Sequence, residues 1–197
     1  MNSLNAELEK IIKTYQESFS YKEYNAENND TDLLMDLYGI TPEIKRENKQ
    51  YWGRELGMLF ELMCTEIFKT TKEFKPKEKI GNDAPYDFIY DSLAIDTKYR
   101  IGSGDAGTLK KFKQYAKELK DMGYTPVILL FRTDNLPAAI TACINGGWKI
   151  YMGEDCFNFI KEKAKFDLKE YLKNNKGNFN IEHLKKTSLQ HEAVVIW

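Results

Sequence analysis

The sequence predicts an α/β domain built on a central mixed β-sheet flanked by helices. Three observations carry that expectation. Residues 85–101 alternate side-chain character on either side of an Asp91-Ser92 turn, the signature of a hairpin. Thr125 to Phe131 is almost wholly apolar, as expected of a strand buried on both faces. The segments around them have helical periodicity, so from residue 51 the order reads helix, hairpin, helix, strand, helix, strand, helix.

Each element has its own signal. Residues 1–50 are polar, with two or three helices expected, around 3–19 and 30–38, and a loop over Glu27–Thr31. Residues 51–69 read as a largely buried helix. Residues 108–122 form a lysine-rich amphipathic helix with Leu109, Phe112, Tyr115, Ala116 and Leu119 on one face, stopped at Gly123. Pro137 suits the first turn of a helix that ends at Gly146-Gly147. Trp148 to Met152 is a short strand, with Trp148 and Tyr151 as core residues, and 154–174 is read as one helix. The final Ala193–Trp197 suits an edge strand or a contact between copies.

Composition narrows the function classes. The 197 residues are 42% hydrophobic and 30% charged, which excludes a disordered or fibrous chain. No apolar run reaches the roughly 18 residues of a membrane span, and Met1–Lys13 lacks an export-type stretch, so a cytoplasmic protein without membrane association is expected. Cys64, Cys143 and Cys156 are odd in number and form no close pair, as reduced thiols do. Two histidines, His183 and His191, leave zinc sites and Ser-His catalysis poorly supported. The net charge is −1, yet residues 98–120 carry seven basic side chains against two acidic ones. A near-neutral chain with one basic segment can dock a phosphate backbone on one face.

The hairpin holds the chemistry. Strand alternation puts Leu93, Ile95, Thr97, Tyr99 and Ile101 on one side, and Ala94, Asp96, Lys98 and Arg100 on the other. Asp87 falls on the preceding strand near Asp96. Two carboxylates and an ammonium thus converge, and carboxylate oxygens suit Mg²⁺. Acid-x-Lys triplets recur at Glu43, Glu47, Glu73, Glu118 and Asp167, so the triplet alone says little. Asp96 alone combines strand alternation with a preceding Pro-x-Asp.

Pro85-x-Asp87 followed by Asp96-x-Lys98 resembles the PD-(D/E)xK nuclease superfamily, whose best-known members are type II restriction endonucleases. The resemblance covers roughly residues 55–131 and includes Gly57-Met-Leu-Phe-Glu61, similar to the Gly-x-x-x-Glu pattern that supplies an acid from a preceding helix. Two departures stand out: Pro and Asp are separated by Tyr86, and Asp96 replaces the usual Glu. Gly81-Asn-Asp-Ala84 also resembles a metal-site segment of some small members, so Asp83 competes with Asp87, and Glu55 competes with Glu61 on the helix.

The resemblance implies a restriction-endonuclease-like core and one nuclease domain over 1–197. Within it, 1–50 is a helical N-terminal extension, 51–152 the catalytic core, and 153–197 a C-terminal helix and tail. It implies a Mg²⁺-dependent type II restriction endonuclease acting on double-stranded DNA as a homodimer. Asp87, Asp96, Lys98 and Glu61 are the expected catalytic residues. Asp87, Asp96, the Thr97 backbone carbonyl and Glu61 are the candidate metal ligands. Ser103, Lys110, Lys111, Arg132 and Asn135 are candidate DNA contacts: Arg132 and Asn135 can read base edges, and the others can meet phosphates. The run Gly102-Ser-Gly-Asp-Ala-Gly107 also matches the dinucleotide fingerprint, but the strand before it carries Asp96, Lys98 and Arg100, unlike the apolar first strand of such folds. The competing functions are a repair or junction-resolving nuclease on the same core, and a non-catalytic nucleotide- or DNA-binding module.

Overall fold

A computed structural model describes residues 31–79, 83–102 and 106–181, together with 12–14 and 16. Residues 12–14 and 16 are helical. The rest of the 3–19 helix, residues 27–30, Ser103, both histidines and Ala193–Trp197 lie outside the described residues.

Helices α1 (Leu33–Tyr38), α2 (Pro42–Glu47) and α3 (Lys49–Lys69) come first. Their starts are set by side-chain caps: Asp32 Oδ1 accepts from the Leu34 and Met35 amides at 3.0 and 3.1 Å, and Thr41 Oγ1 and Asn48 Oδ1 do the same for α2 and α3. Helix α3 buries Leu56, Phe60, Cys64 and Phe68, one residue per turn along a single stripe. Strands β1 (Phe74–Pro76), β2 (Phe88–Tyr90) and β3 (Leu93–Lys98) follow. They form an antiparallel meander in which Asp91, at φ +54°, turns β2 into β3. Helix α4 (Ala106–Asp121) carries the chain across to β4 (Thr125–Leu130), and α5 (Pro137–Gly146) to β5 (Lys149–Met152). Both crossings yield parallel neighbours, so the five-stranded sheet runs β1-β2-β3-β4-β5 and is mixed. Helices α6 (Glu154–Ala164) and α7 (Leu168–Asn174) close the described chain.

Strand β4 shows why both sheet faces are covered. Val127 and Leu129 enter one apolar cluster with Phe60, Phe68, Phe159 and Leu168, while Ile128 and Leu130 enter the other with Phe112, Ala116, Leu119 and Trp148. Thus α1, α3, α6 and α7 cover one face, and α4 and α5 the other. The α4 face read from the sequence is the buried one, and Trp148 is core, its indole N–H donating to the Phe112 carbonyl at 2.8 Å.

Two expectations are corrected. Residues 154–174 are two helices, because Lys165 adopts φ +57° and Asp167 caps a new start, accepting from the Glu170 amide at 2.9 Å. Ile101 packs in the cluster of Ala94 rather than that of Ile95, since strand pairing stops at Lys98 and the alternation lapses. Strand β1 lies outside the expected elements, and helix α2 is a further helix within residues 1–50, where two or three were expected.

Candidate active site

The site lies where β3 ends and β2 begins. Register puts Asp87, one residue before β2, opposite Asp96. The Asp87 amide donates to the Ile95 carbonyl at 2.8 Å. Its carboxylate Oδ2 accepts from the Thr97 amide at 2.7 Å and the Thr97 hydroxyl at 2.6 Å, which ties the carboxylate across the end of β3. Asp96, on β3, is only 7% exposed. The Lys98 ammonium donates to Asp96 Oδ1 at 2.5 Å and to the Thr97 carbonyl at 3.2 Å.

Electrostatics shows how tightly these groups are gathered. Burial pushes the Asp96 carboxyl up to about 6; Lys98 opposes the rise, and Asp87 and Glu61 add to it. Asp87 is also raised, first by burial and against the pull of Lys98 and the Thr97 hydrogen bonds. Burial works against the Lys98 charge, but Asp96, Asp87 and Glu61 outweigh it and its pKa is raised. All four expected catalytic side chains therefore sit within one another's field.

Glu61, on α3, is paired with Lys77 rather than with Lys98, at 2.8 Å. Glu55, its rival, is on the surface with Arg54 at 2.9 Å. Asp83, the rival of Asp87, is exposed and hydrogen-bonded to Tyr115. A cavity of about 190 Å³ opens beside Asp96 and Lys98, lined also by Pro85, Thr108, Lys111, Phe112 and Tyr115. Lys111 thus faces the site, and Lys110 is exposed on the adjoining strip of α4.

Arg132 and Asn135 are placed differently from a base-reading pair. Arg132 is buried, its guanidinium held by Asp32 and Asp134, each at 2.6 Å, and lying over the Tyr99 ring. Asn135 accepts from the Ile101 amide at 2.7 Å and donates to the Arg132 carbonyl at 2.6 Å. Both side chains are spent in holding loops together. Lys77, Tyr115 and the Asp32–Tyr99–Lys45 contacts escaped sequence reasoning, because they depend on register and helix placement rather than on any motif.

The donor set fits a divalent cation. Among the described residues no three Asp, Glu, His or Cys side chains gather as a metal cluster, so the ligands on offer are two carboxylates and a main-chain oxygen. Mg²⁺ is commonly held by one or two carboxylates with water and substrate phosphate completing its shell. The ammonium between Asp96 and the Thr97 carbonyl shows that this cradle already holds a positive charge.

A mixed sheet with helices on both faces and an Asp–Asp–Lys group at the end of its hairpin is a restriction-endonuclease-like core. The chain belongs to the ApaLI-like restriction endonuclease family, whose model matches residues 3–177. No curated protein and no solved structure matches it. Family membership sets aside the dinucleotide-binding reading of Gly102–Gly107. Among the described residues no helix is long and apolar enough to cross a membrane.

Proposed function

We propose that this restriction endonuclease is a Mg²⁺-dependent type II enzyme. It hydrolyses phosphodiester bonds in double-stranded DNA at a specific, palindromic site and leaves 5′-phosphate and 3′-hydroxyl ends. The observation that carries the reading is the cation cradle formed by Asp96 Oδ1 and the Thr97 carbonyl, now filled by the Lys98 ammonium. Asp87 and Asp96 would hold Mg²⁺, with the Thr97 carbonyl as a further donor. When bound, the ion supplies Lewis acidity toward the phosphate and acidifies the attacking water.

The chain's own residues do the rest. Thr97 fixes the Asp87 carboxylate through two hydrogen bonds, so its orientation is set before substrate arrives. Lys98 has a raised pKa and stays protonated at neutral pH. It therefore donates hydrogen bonds, orienting the attacking water and stabilising charge on the phosphate, rather than removing a proton. Lys111, and Lys110 beside it, are the proposed phosphate contacts of α4. Cutting both strands of a two-fold symmetric site calls for two copies related by the same axis, hence a homodimer. The three cysteines are free and buried, which agrees with work in a reducing cytoplasm.

Digestion of plasmid DNA with Mg²⁺, and with Ca²⁺ in its place, tests this reading. The wild type should give discrete fragments with Mg²⁺, and end-sequencing should return one motif and the stated ends. Lys98→Ala and Asp96→Ala should each slow cleavage by roughly 10²–10³-fold or more. Either variant cutting at the wild-type rate overturns the site.

A further inference from the structure

The cavity beside the hairpin acids has two walls. Asp96 and Lys98 stand on the strand side, and Thr108, Lys111, Phe112 and Tyr115 of α4 stand on the other. Those α4 positions recur at three- and four-residue spacing, so they form one stripe along the helix. On that stripe Phe112 is buried in the core and Tyr115 is hydrogen-bonded to Asp83. Lys111 is exposed, and among the described residues it makes no hydrogen bond or ion pair.

The lysines beside the acids are committed: Lys98 donates to Asp96 and to the Thr97 carbonyl, and Lys77 donates to Glu61. Elsewhere on α4, Lys117 pairs with Asp121, Lys113 lies against Gly146 and Lys120 against Gly147. Among the described residues, Lys111 is thus the cation of α4 that lines the cavity with its donors unspent. Phosphodiester hydrolysis can use such a group. A water oxygen bonds to phosphorus as the P–O3′ bond breaks; one water proton passes to solvent, and the 3′ oxygen takes one up. Once the water has lost its proton, the five-coordinate arrangement carries one more negative charge than the bound diester. A cation that meets it there is worth more in the transition state than in the ground state.

We propose that Lys111 is a catalytic residue. From α4 its ammonium donates to a non-bridging oxygen of the scissile phosphate, across the cavity from Lys98, and not to a neighbouring phosphate of the duplex. This rests on Asp87, Asp96 and Lys98 being the site of hydrolysis, and it carries Lys111 from a phosphate contact to a contact on the reacting group. The test uses the full-length protein and a duplex bearing the cut site found by end-sequencing, with sulfur replacing one or the other non-bridging oxygen of the scissile phosphate. Both replacements should slow the wild type at saturating DNA. One of the two slowings, about tenfold, should disappear in Lys111→Ala, and the other should be the same in both proteins. On the unmodified duplex Lys111→Ala should cut about 10²-fold more slowly, with a far smaller loss of affinity measured in Ca²⁺. Lys111→Arg keeps a charged donor and should retain both the sulfur effect and most of the rate. Lys113→Ala, on the side turned to Gly146, should match the wild type in both.

A wild type slowed by neither sulfur, or a Lys111→Ala in which both slowings persist, overturns the proposal and leaves the Asp87–Asp96–Lys98 site standing. So does a lost sulfur effect that belongs to an adjacent phosphate. Lys111 is exposed, so its loss should leave the melting temperature nearly unchanged. A wild type that does not cut the duplex, or an Asp96→Ala that cuts it at full rate, removes the site itself and the role of Lys111 with it.

Discussion

Asp96 is where structure and chemistry oppose each other. An aspartate in the unfolded chain titrates near 4. In the fold, burial lifts Asp96 to about 6, partly countered by Lys98. The native state thus holds its proton more tightly than the unfolded state between those values. Stability of the metal-free protein should therefore fall as pH rises from about 4 to about 6, and level off above that. A divalent ion needs the carboxylate ionised, so it should compensate only on the alkaline side. At 100-fold excess over its dissociation constant the ion contributes about 2.7 kcal/mol. For a chain of this length that is a rise in Tm of roughly 5–10 °C. Thermal melts with Mg²⁺ at pH 7.5 should show this gain, and melts at pH 5 should show little. Equal gains at both pH values would mean that Asp96 is not the titrating ligand.

Helix α4 shows what a single element adds. Its buried face is Phe112, Ala116 and Leu119, and its cavity face carries Thr108, Lys111 and Tyr115. Lys113 points elsewhere: Gly146 of α5 lies against its backbone and stem, and a Cβ there would meet them at 3.3 Å. In duplex binding with Ca²⁺ in place of Mg²⁺, Lys111→Ala should lower the slope of log K against log salt by about one. Lys113→Ala should leave the slope unchanged; the reverse pattern places the DNA on the other side of the helix.

The buried face of α4 was legible because 3.6-residue periodicity is a property of the chain itself, and the hairpin acids because period-2 alternation is too. Lys77 was not, since its partner Glu61 lies 16 residues away and they meet only through the register of a three-residue edge strand. The partners of Arg132 are hidden for a related reason. A strand-end arginine next to Asn and Thr looks like a base reader until a carboxylate 100 residues earlier is seen to hold it. The 154–174 break was hidden because a lysine in left-handed conformation carries no sequence signal of the kind glycine does.

At the scale of the molecule, we propose that residues 31–50 are part of the nuclease core rather than an appendage to it. Leu34, Met35, Leu37 and Ile40 are nearly fully buried in the same cluster as Phe60, Val127 and Leu168. The C-terminal helical segment closes over them: the Gly177 amide donates to the Asp36 carbonyl at 3.0 Å, and Lys176 pairs with Asp36 at 3.0 Å. Asp32 caps α1 and accepts from the Tyr99 hydroxyl and from Arg132, at the end of the strand that carries Asp96 and Lys98. Lys45, 1% exposed, donates to the same tyrosine oxygen at 3.1 Å. Removing residues 1–50 would strip these apolar contacts and leave the Arg132 charge buried without Asp32. Arg132 keeps Asp134, so the larger cost is the lost burial of Leu34, Met35, Leu37 and Ile40, about 1.5–3 kcal/mol for each fully buried side chain, against the roughly 5–15 kcal/mol that separates most folded domains from their unfolded chains. The 51–197 fragment should therefore show no cooperative thermal transition and should bind a hydrophobic dye, whereas the full chain melts in a single step. A fragment that melts sharply within a few degrees of the full-length protein would make the first fifty residues a true extension and return the core to 51–152.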